Sequence, residues 1–364
     1  MIRTRGSLLF LLCLALATLP GCGHLGIGSS SSGASHVMYA ATPTGNGIAA
    51  YRIDNDSGNM TTIFGSPFAG GSSPASVVVH PSNKFLYVAN QSGNDISLFD
   101  IDSSTGAVTE VLPRTPADVS PAVLTMDSGG SFLFALNESS GTASVYSIDS
   151  GSGALSAVAG SPFPVGQSPV AMALAPSGKF LFVANVNLAA VSVFAVNAGV
   201  LSPVAGNPFP VGHGPLAVAV ASSGNFLFVA NSFDSTLSVM SIAADGSLAL
   251  VSGTPVTTGT NPASIAFDPT GAYVYTANEG SSNISSFSID SSTGVPTLLT
   301  TSGTVSTGAN PVFVALDSTG KYFLVISQGA KTIAEMKIDP TTGELTASTS
   351  VTTDQPATSL AVTK

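Results

Sequence analysis

The sequence predicts an all-β fold: a seven-bladed β-propeller of four-stranded antiparallel blades, closed by the C-terminal strand pairing into the N-terminal blade. Three observations predict it. An apolar run ending in a small polar residue recurs at Thr42, Asn90, Asn137, Asn185, Asn231, Asn278 and Ser327, at intervals of 46 to 49 residues. A proline recurs upstream with the same period, as Pro74, Pro121, Pro169, Pro215, Pro262, Pro311 and Pro356. Residues 37–364 hold seven such units, and helical periodicity is absent from them. Four short strands repeated at this period signal blades stacked around an axis.

The chain opens on a segment of different character. MIRTR is basic, SLLFLLCLALATL is apolar but too short to span a bilayer, and Leu19-Pro20-Gly21-Cys22 follows. This order reads as an export signal over residues 1–22. The Leu-x-Gly-Cys ending resembles a bacterial lipobox, which implies that Cys22 is lipidated and holds the protein to the cell envelope. The alternative is ordinary secretion with a free cysteine near the new terminus. Residues 23–36, rich in Gly and Ser, read as a flexible tether.

That reading settles the cysteine chemistry. Cys13 leaves with the signal and Cys22 carries lipid, so residues 37–364 contain no cysteine for disulfides or thiolate metal sites. The whole chain carries a net charge of −10, and loss of Arg3 and Arg5 makes the mature part more acidic. Such a balance excludes an electrostatic nucleic-acid binder, which needs clustered Lys and Arg.

Within the repeats, the second unit shows the design. Its strands are ASVVVH (75–80), FLYVAN (85–90), ISLFDI (96–101) and a weaker one at VTEVL (108–112), linked by the turn-forming HPSNK, QSGND and DSSTGA. The second strand of a unit is almost continuously apolar, as expected for a strand covered on both faces. Its first aromatic residues, Phe85, Phe132, Phe180 and Phe226, read as inter-blade core. The first unit begins at its second strand, VMYAAT (37–42), whereas the chain ends on QPATSLAVTK, a proline and a first strand with nothing after them. Two partial units make one blade and remove an open sheet edge.

The units FLYVANQSGNDISLFDID, FLFVANVNLAAVSVF and YVYTANEGSSNISSFSIDSSTG resemble the repeat of the seven-bladed lactonase family, which includes 6-phosphogluconolactonase-type and carboxymuconate-cyclase-type proteins and is related to YVTN-repeat propellers. The resemblance covers residues 37–364. It implies the fold and, for function, hydrolysis of a sugar-type lactone at the central channel. The family's Pro-Arg-His step after the anchor proline is missing from every unit. The Asn-Glu ending of the second strand survives as Asn137-Glu138 and Asn278-Glu279, and one His-Pro survives at His80-Pro81. By resemblance the two glutamates face the channel.

A residue repeated in five blades follows the symmetry of the ring, so Asn90 and its counterparts read as structural, bonding to backbone in the following turn. Functional candidates are residues that break the repeat. His213, in VGHGP, stands where matching units have Ser72, Gln167 or Thr260. The loops entering first strands share one rim with the hairpins between second and third strands. His213, Glu138 and Glu279 are therefore the catalytic candidates, a histidine beside carboxylates being able to act as general base toward an ester carbonyl. Asp95, Asp234 and Lys331 are the ligand-binding candidates on that rim. His80 belongs to the opposite end and reads as a turn residue packing on the next blade. The acid-turn-Gly hairpins, such as IDSSTG and IDPTTG, read as capped turns rather than calcium loops. No metal site or cofactor is expected.

Two functions fit. The first is a lipid-anchored monomeric scaffold offering its rim to an unknown protein or small-molecule ligand. The alternative is a lactone hydrolase. Low charge, the missing basic groups and the tether favour the first, and export counts against the second, since phosphorylated sugar lactones are cytoplasmic metabolites.

Overall fold

The computed structural model describes residues 34–299 and 304–364. The export signal, Cys22 and most of the tether lie outside them. Seven antiparallel sheets build the molecule. In the second blade the strands Pro74–Val79, Phe85–Asn90, Asp95–Ile101 and Val108–Pro116 pair in chain order, and Pro74, Asn90 and Asp95 stand in register at one end. In six of the seven sheets the same end thus carries the anchor proline, the end of the second strand and the start of the third. The proline opens its strand, where a missing N–H costs no ladder bond.

First strands of neighbouring blades touch one another around the axis, and Ser359–Val362 touches both Pro74–Val79 and Pro311–Leu316. That last strand pairs with Ser35–Thr42, Met38 facing Val362 and Ala41 facing Ser359. The expected closure is therefore present. Five blades carry a further short strand, such as Phe163–Pro164, which pairs with the start of the third strand after a turn interrupts the fourth. The backbone N–H groups this turn leaves free are taken up by Ser66, Ser161, Asn207 and Thr254, whose side chains accept from Ala50, Val145, Val193 and Val239.

The core lies between blades. Phe182, Val191 and Val193 of the fourth blade pack with Val218, Leu227, Val229 and Met240 of the fifth. Such residues each contribute about 1.5–3 kcal/mol through burial. Phe85, Phe132, Phe180 and Phe226 lie against Gly153, Gly199, Gly246 and Gly294, each in the lower hairpin of the following blade. Tyr39, Tyr87 and Tyr275 reach the same hairpins, their hydroxyls donating to the carbonyls of Gly106, Gly153 and Gly343.

The seam between the seventh and first blades departs from this scheme. Leu324 stands where the other blades have those tyrosines or a phenylalanine, and its direct partner across the hairpin is Glu335. Leu98, Val145, Val193 and Val239 occupy the position of Glu335 in four other blades. Glu335 is only 1% exposed, neither carboxyl oxygen has a hydrogen-bond partner, and the group lies against Gly58 of the first blade. Burial, reinforced by the charge of Asp317, pushes its pKa up to about 8. His36 also belongs to this seam. The first strand begins at Ser35, so His36, read from sequence with the tether, is a buried strand residue. Its Nδ1 is 2.7 Å from Asn55 Oδ1 and its Nε2 is 3.7 Å from an Asp317 oxygen.

Candidate functional site

The five asparagines that end second strands are fully buried. Each Nδ2 donates across the hairpin to a serine seven residues on: Asn90 to Ser97, Asn137 to Ser144, Asn185 to Ser192, Asn231 to Ser238 and Asn278 to Ser285, at 2.8–3.0 Å. The structural role expected for them holds, but the partner is a side chain of the third strand rather than turn backbone. Where the asparagine is missing the serine is missing too: Thr42 goes with Ala49, and Ser327 with Ala334. These belts hold the rim in place.

On that rim the fifth blade differs from the rest at four positions that touch one another. His213 donates its backbone N–H to Asp234 Oδ2 at 2.7 Å, and its ring Nδ1 lies 3.1 Å from Asp234 Oδ1. These bonds, the backbone one foremost, lower the pKa of Asp234. An ionised carboxylate only accepts, so Nδ1 carries a proton and Nε2 is the ring nitrogen turned away from Asp234. The His213 side chain is 77% exposed, leaving Nε2 open to solvent. Phe233, beside Asp234, is 73% exposed. Its backbone N–H donates to the His213 carbonyl, and its ring lies so close to Gly214 that an added Cβ would stand 2.6 Å from it. Gly214 precedes the anchor proline with φ +64, a position held by Ser73, Ser120, Ser168, Asn261 and Asn310 elsewhere. The glycine is thus demanded by the aromatic ring, since Ser and Asn meet the same backbone requirement in the other blades.

A second feature lies over blades two to four. Gln91, Glu138, Ser140, Gly166, Gln167 and Ser168 line an open polar depression of about 750 Å³. Gln91 Nε2 donates to Glu138 Oε2 at 3.1 Å, fixing the glutamate at its edge.

The model of the family described as "Lactonase, 7-bladed beta-propeller" matches four overlapping stretches, residues 30–118, 64–164, 114–205 and 202–307. Together they cover more than half of the sequence. The chain belongs to the seven-bladed lactonase family. Among solved structures it is similar to a candidate 6-phosphogluconolactonase from Bacteroides fragilis, at 22% identity and a TM-score of 0.80, covering 92% of this chain and 99% of that one. A periplasmic gluconolactonase from Pseudomonas aeruginosa is similar at 18% identity and a TM-score of 0.76, covering 91% and 99%. A protein from Lactobacillus plantarum is similar at 19% identity and 0.77, covering 91% and 100%. At these identities the likeness concerns the fold. No curated protein matches the sequence.

Within this lactonase-family frame the residues singled out from sequence have separate settings. His213 meets Asp234 within its own blade. Glu138 meets Gln91 of the preceding blade, and the described residues give no contact joining His213, Glu138 and Glu279. Glu279 follows the second strand of the sixth blade, its backbone N–H donating to the Asn261 carbonyl. Asp95 is a fold residue as well as a rim one, accepting from Asn90 at 2.6 Å. Lys331 adopts φ +53 in its hairpin, and its carbonyl accepts from Thr353. His80 is buried at the opposite end as expected: Ser82 N–H donates to its Nδ1, and Nε2 bonds the Gly130 carbonyl of the next blade at 3.0 Å. Among the described residues no cluster of three or more His, Cys, Asp or Glu could hold a metal. Sequence reasoning missed Phe233 and Gly214. Comparison of the turns was enough to find Phe233, since Ser92, Ser139, Asn187, Gly280 and Gly329 hold its place in other blades.

Proposed function

We propose that the protein hydrolyses a sugar-type lactone at its rim, with His213 as general base and Asp234 as the residue that positions it. The single observation carrying this reading is the His213–Asp234 contact, which turns Nδ1 to the carboxylate and leaves Nε2 open on the face where first and third strands begin. Nε2 takes a proton from water as its oxygen attacks the lactone carbonyl carbon. The tetrahedral intermediate collapses with cleavage of the ring C–O bond, and Nε2 returns the proton to the departing alkoxide. The product is the open hydroxy acid. Family membership and the likeness to a periplasmic gluconolactonase support lactone hydrolysis over a passive scaffold. The Leu-Pro-Gly-Cys ending of the leader supports display on the cell envelope through lipid on Cys22, with the substrate as the rim's partner.

The test is turnover of a panel of sugar lactones, followed by acid release. His213→Ala is expected to lower kcat by about a hundredfold or more, the usual weight of a general base. Asp234→Asn lowers kcat less and shifts the pH profile, because a neutral amide no longer holds Nδ1 protonated. Equal rates for wild type and His213→Ala across the panel would overturn the assignment.

A further inference from the structure

The four linked departures of the fifth blade place an exposed aromatic residue against the loop that carries His213. The Phe233 ring packs on Gly214, its backbone N–H donates to the His213 carbonyl, and the residue is 73% exposed. A large exposed apolar side chain on this rim is not required by the turn, since Ser, Asn or Gly holds the same position in other blades. An exposed aromatic face suits a ring with one apolar side.

The charge of the surroundings narrows the choice. The rim carries Asp95, Asp118, Glu138, Asp234, Glu279 and Asp354, against Lys331 and Arg114. Arg114 is already bound by Glu110, at 2.6 Å. A phosphate or carboxylate on the ligand would meet mostly like charge there. The ring's hydroxyls suit uncharged donors and acceptors instead, and the loop entering the adjacent fourth blade offers Gln167 and Ser168.

Resting on the hydrolase reading above, we infer that the substrate is an uncharged, unphosphorylated sugar lactone whose apolar ring face stacks on Phe233 and presents its carbonyl to His213. Phe233 is then a binding residue that sets specificity, and Gly214 is a positioning residue for it.

The test uses the folded exported chain and Phe233→Ser, the residue that second and third blades carry at this turn. Two readouts are needed: turnover of neutral lactones and their 6-phosphorylated counterparts, and calorimetric binding of a non-hydrolysable neutral lactam. Phe233→Ser is expected to raise KM for neutral lactones about tenfold with kcat within about twofold, as for loss of binding common to ground and transition states. It weakens the lactam by a similar factor, and phosphorylated lactones are poor substrates for wild type. Unchanged KM and lactam affinity in Phe233→Ser, with turnover still lost in His213→Ala, would overturn the stacking inference and leave the hydrolase reading intact. Preference for the phosphorylated series would do the same. Phe233-dependent lactam binding without any turnover would uphold the ligand class and overturn hydrolysis. Neither binding nor turnover would overturn both.

Discussion

Raising the pH should loosen the ring at one place, the seam where the first and seventh blades meet. Glu335 ionises near its ordinary 4.5 in the unfolded chain and at about 8 in the folded one, through burial and the neighbouring Asp317. Between those values the folded state binds a proton that the unfolded state has released. The stabilising contribution is therefore complete below about pH 4.5 and is lost as pH rises toward 8, beyond which it is constant. At 1.36 kcal/mol per pH unit, a shift of this size corresponds to roughly 4–5 kcal/mol across the window. In a domain this large that amounts to a fall in Tm on the order of 10 °C. Glu335→Gln keeps the shape and removes the titration. Asp317, His36, Asp54, Asp56 and Lys321 face the same seam, and they are common to both proteins. The difference between the two therefore isolates Glu335. The assay is Tm at unit steps from pH 5 to 9 for both proteins. Glu335→Gln should gain on wild type with each step up to pH 8. A difference that stays flat over the whole range would refute the reasoning.

Three further outcomes follow from the same geometry. Asn137→Ala should cost about 1–3 kcal/mol in urea unfolding, because Ser144 loses its buried partner. Asn137→Ser with Ser144→Ala, the pair that Ser327 and Ala334 form naturally, should recover part of that loss. Truncation after Gln355 removes Ser359–Val362 and bares the edge of Ser35–Thr42; the shortened chain should aggregate on size-exclusion chromatography, whereas a monomer of native stability would contradict closure. His80→Ala breaks the bond to Gly130 between the second and third blades, so unfolding free energy should fall by about 1–3 kcal/mol with no change in rim chemistry.

The ring was legible in the sequence because each blade must bury the same faces against its neighbours, and that demand writes a period into the chain. Closure was legible from the complementary half-units at the two ends. The partner of Asn90 was harder to see, since turn chemistry suggests the nearest backbone. Only the antiparallel register brings Ser97 beneath the amide. His36 was misplaced because a polar residue next to a Gly/Ser stretch looks like linker, whereas its burial depends on Asp317, far away in sequence and adjacent only after closure. At the rim, His213 and Asp234 could each be picked out as unusual. Their contact, and the fit of Phe233 on Gly214, depend on two loops of one blade meeting side by side.

A ring of seven similar blades offers a strict criterion for separating fold from function. Some departures from the repeat are answered within the core. Thr42 goes with Ala49, Ser327 with Ala334, and Glu335 fills the space left where Leu324 replaces an aromatic ring. Each of these changes is matched by another, and neither member reaches solvent to any useful extent. The fifth-blade departures are also matched to one another, Gly214 to Phe233 and Asp234 to His213, but here the matched partner fixes a group whose working face stays outside. Folding gains little from packing an exposed phenylalanine on a glycine or from orienting an exposed histidine. Mutual adjustment directed at atoms that the protein itself does not use is what a ligand would require, which is why the proposed site is set in the turns of the fifth blade.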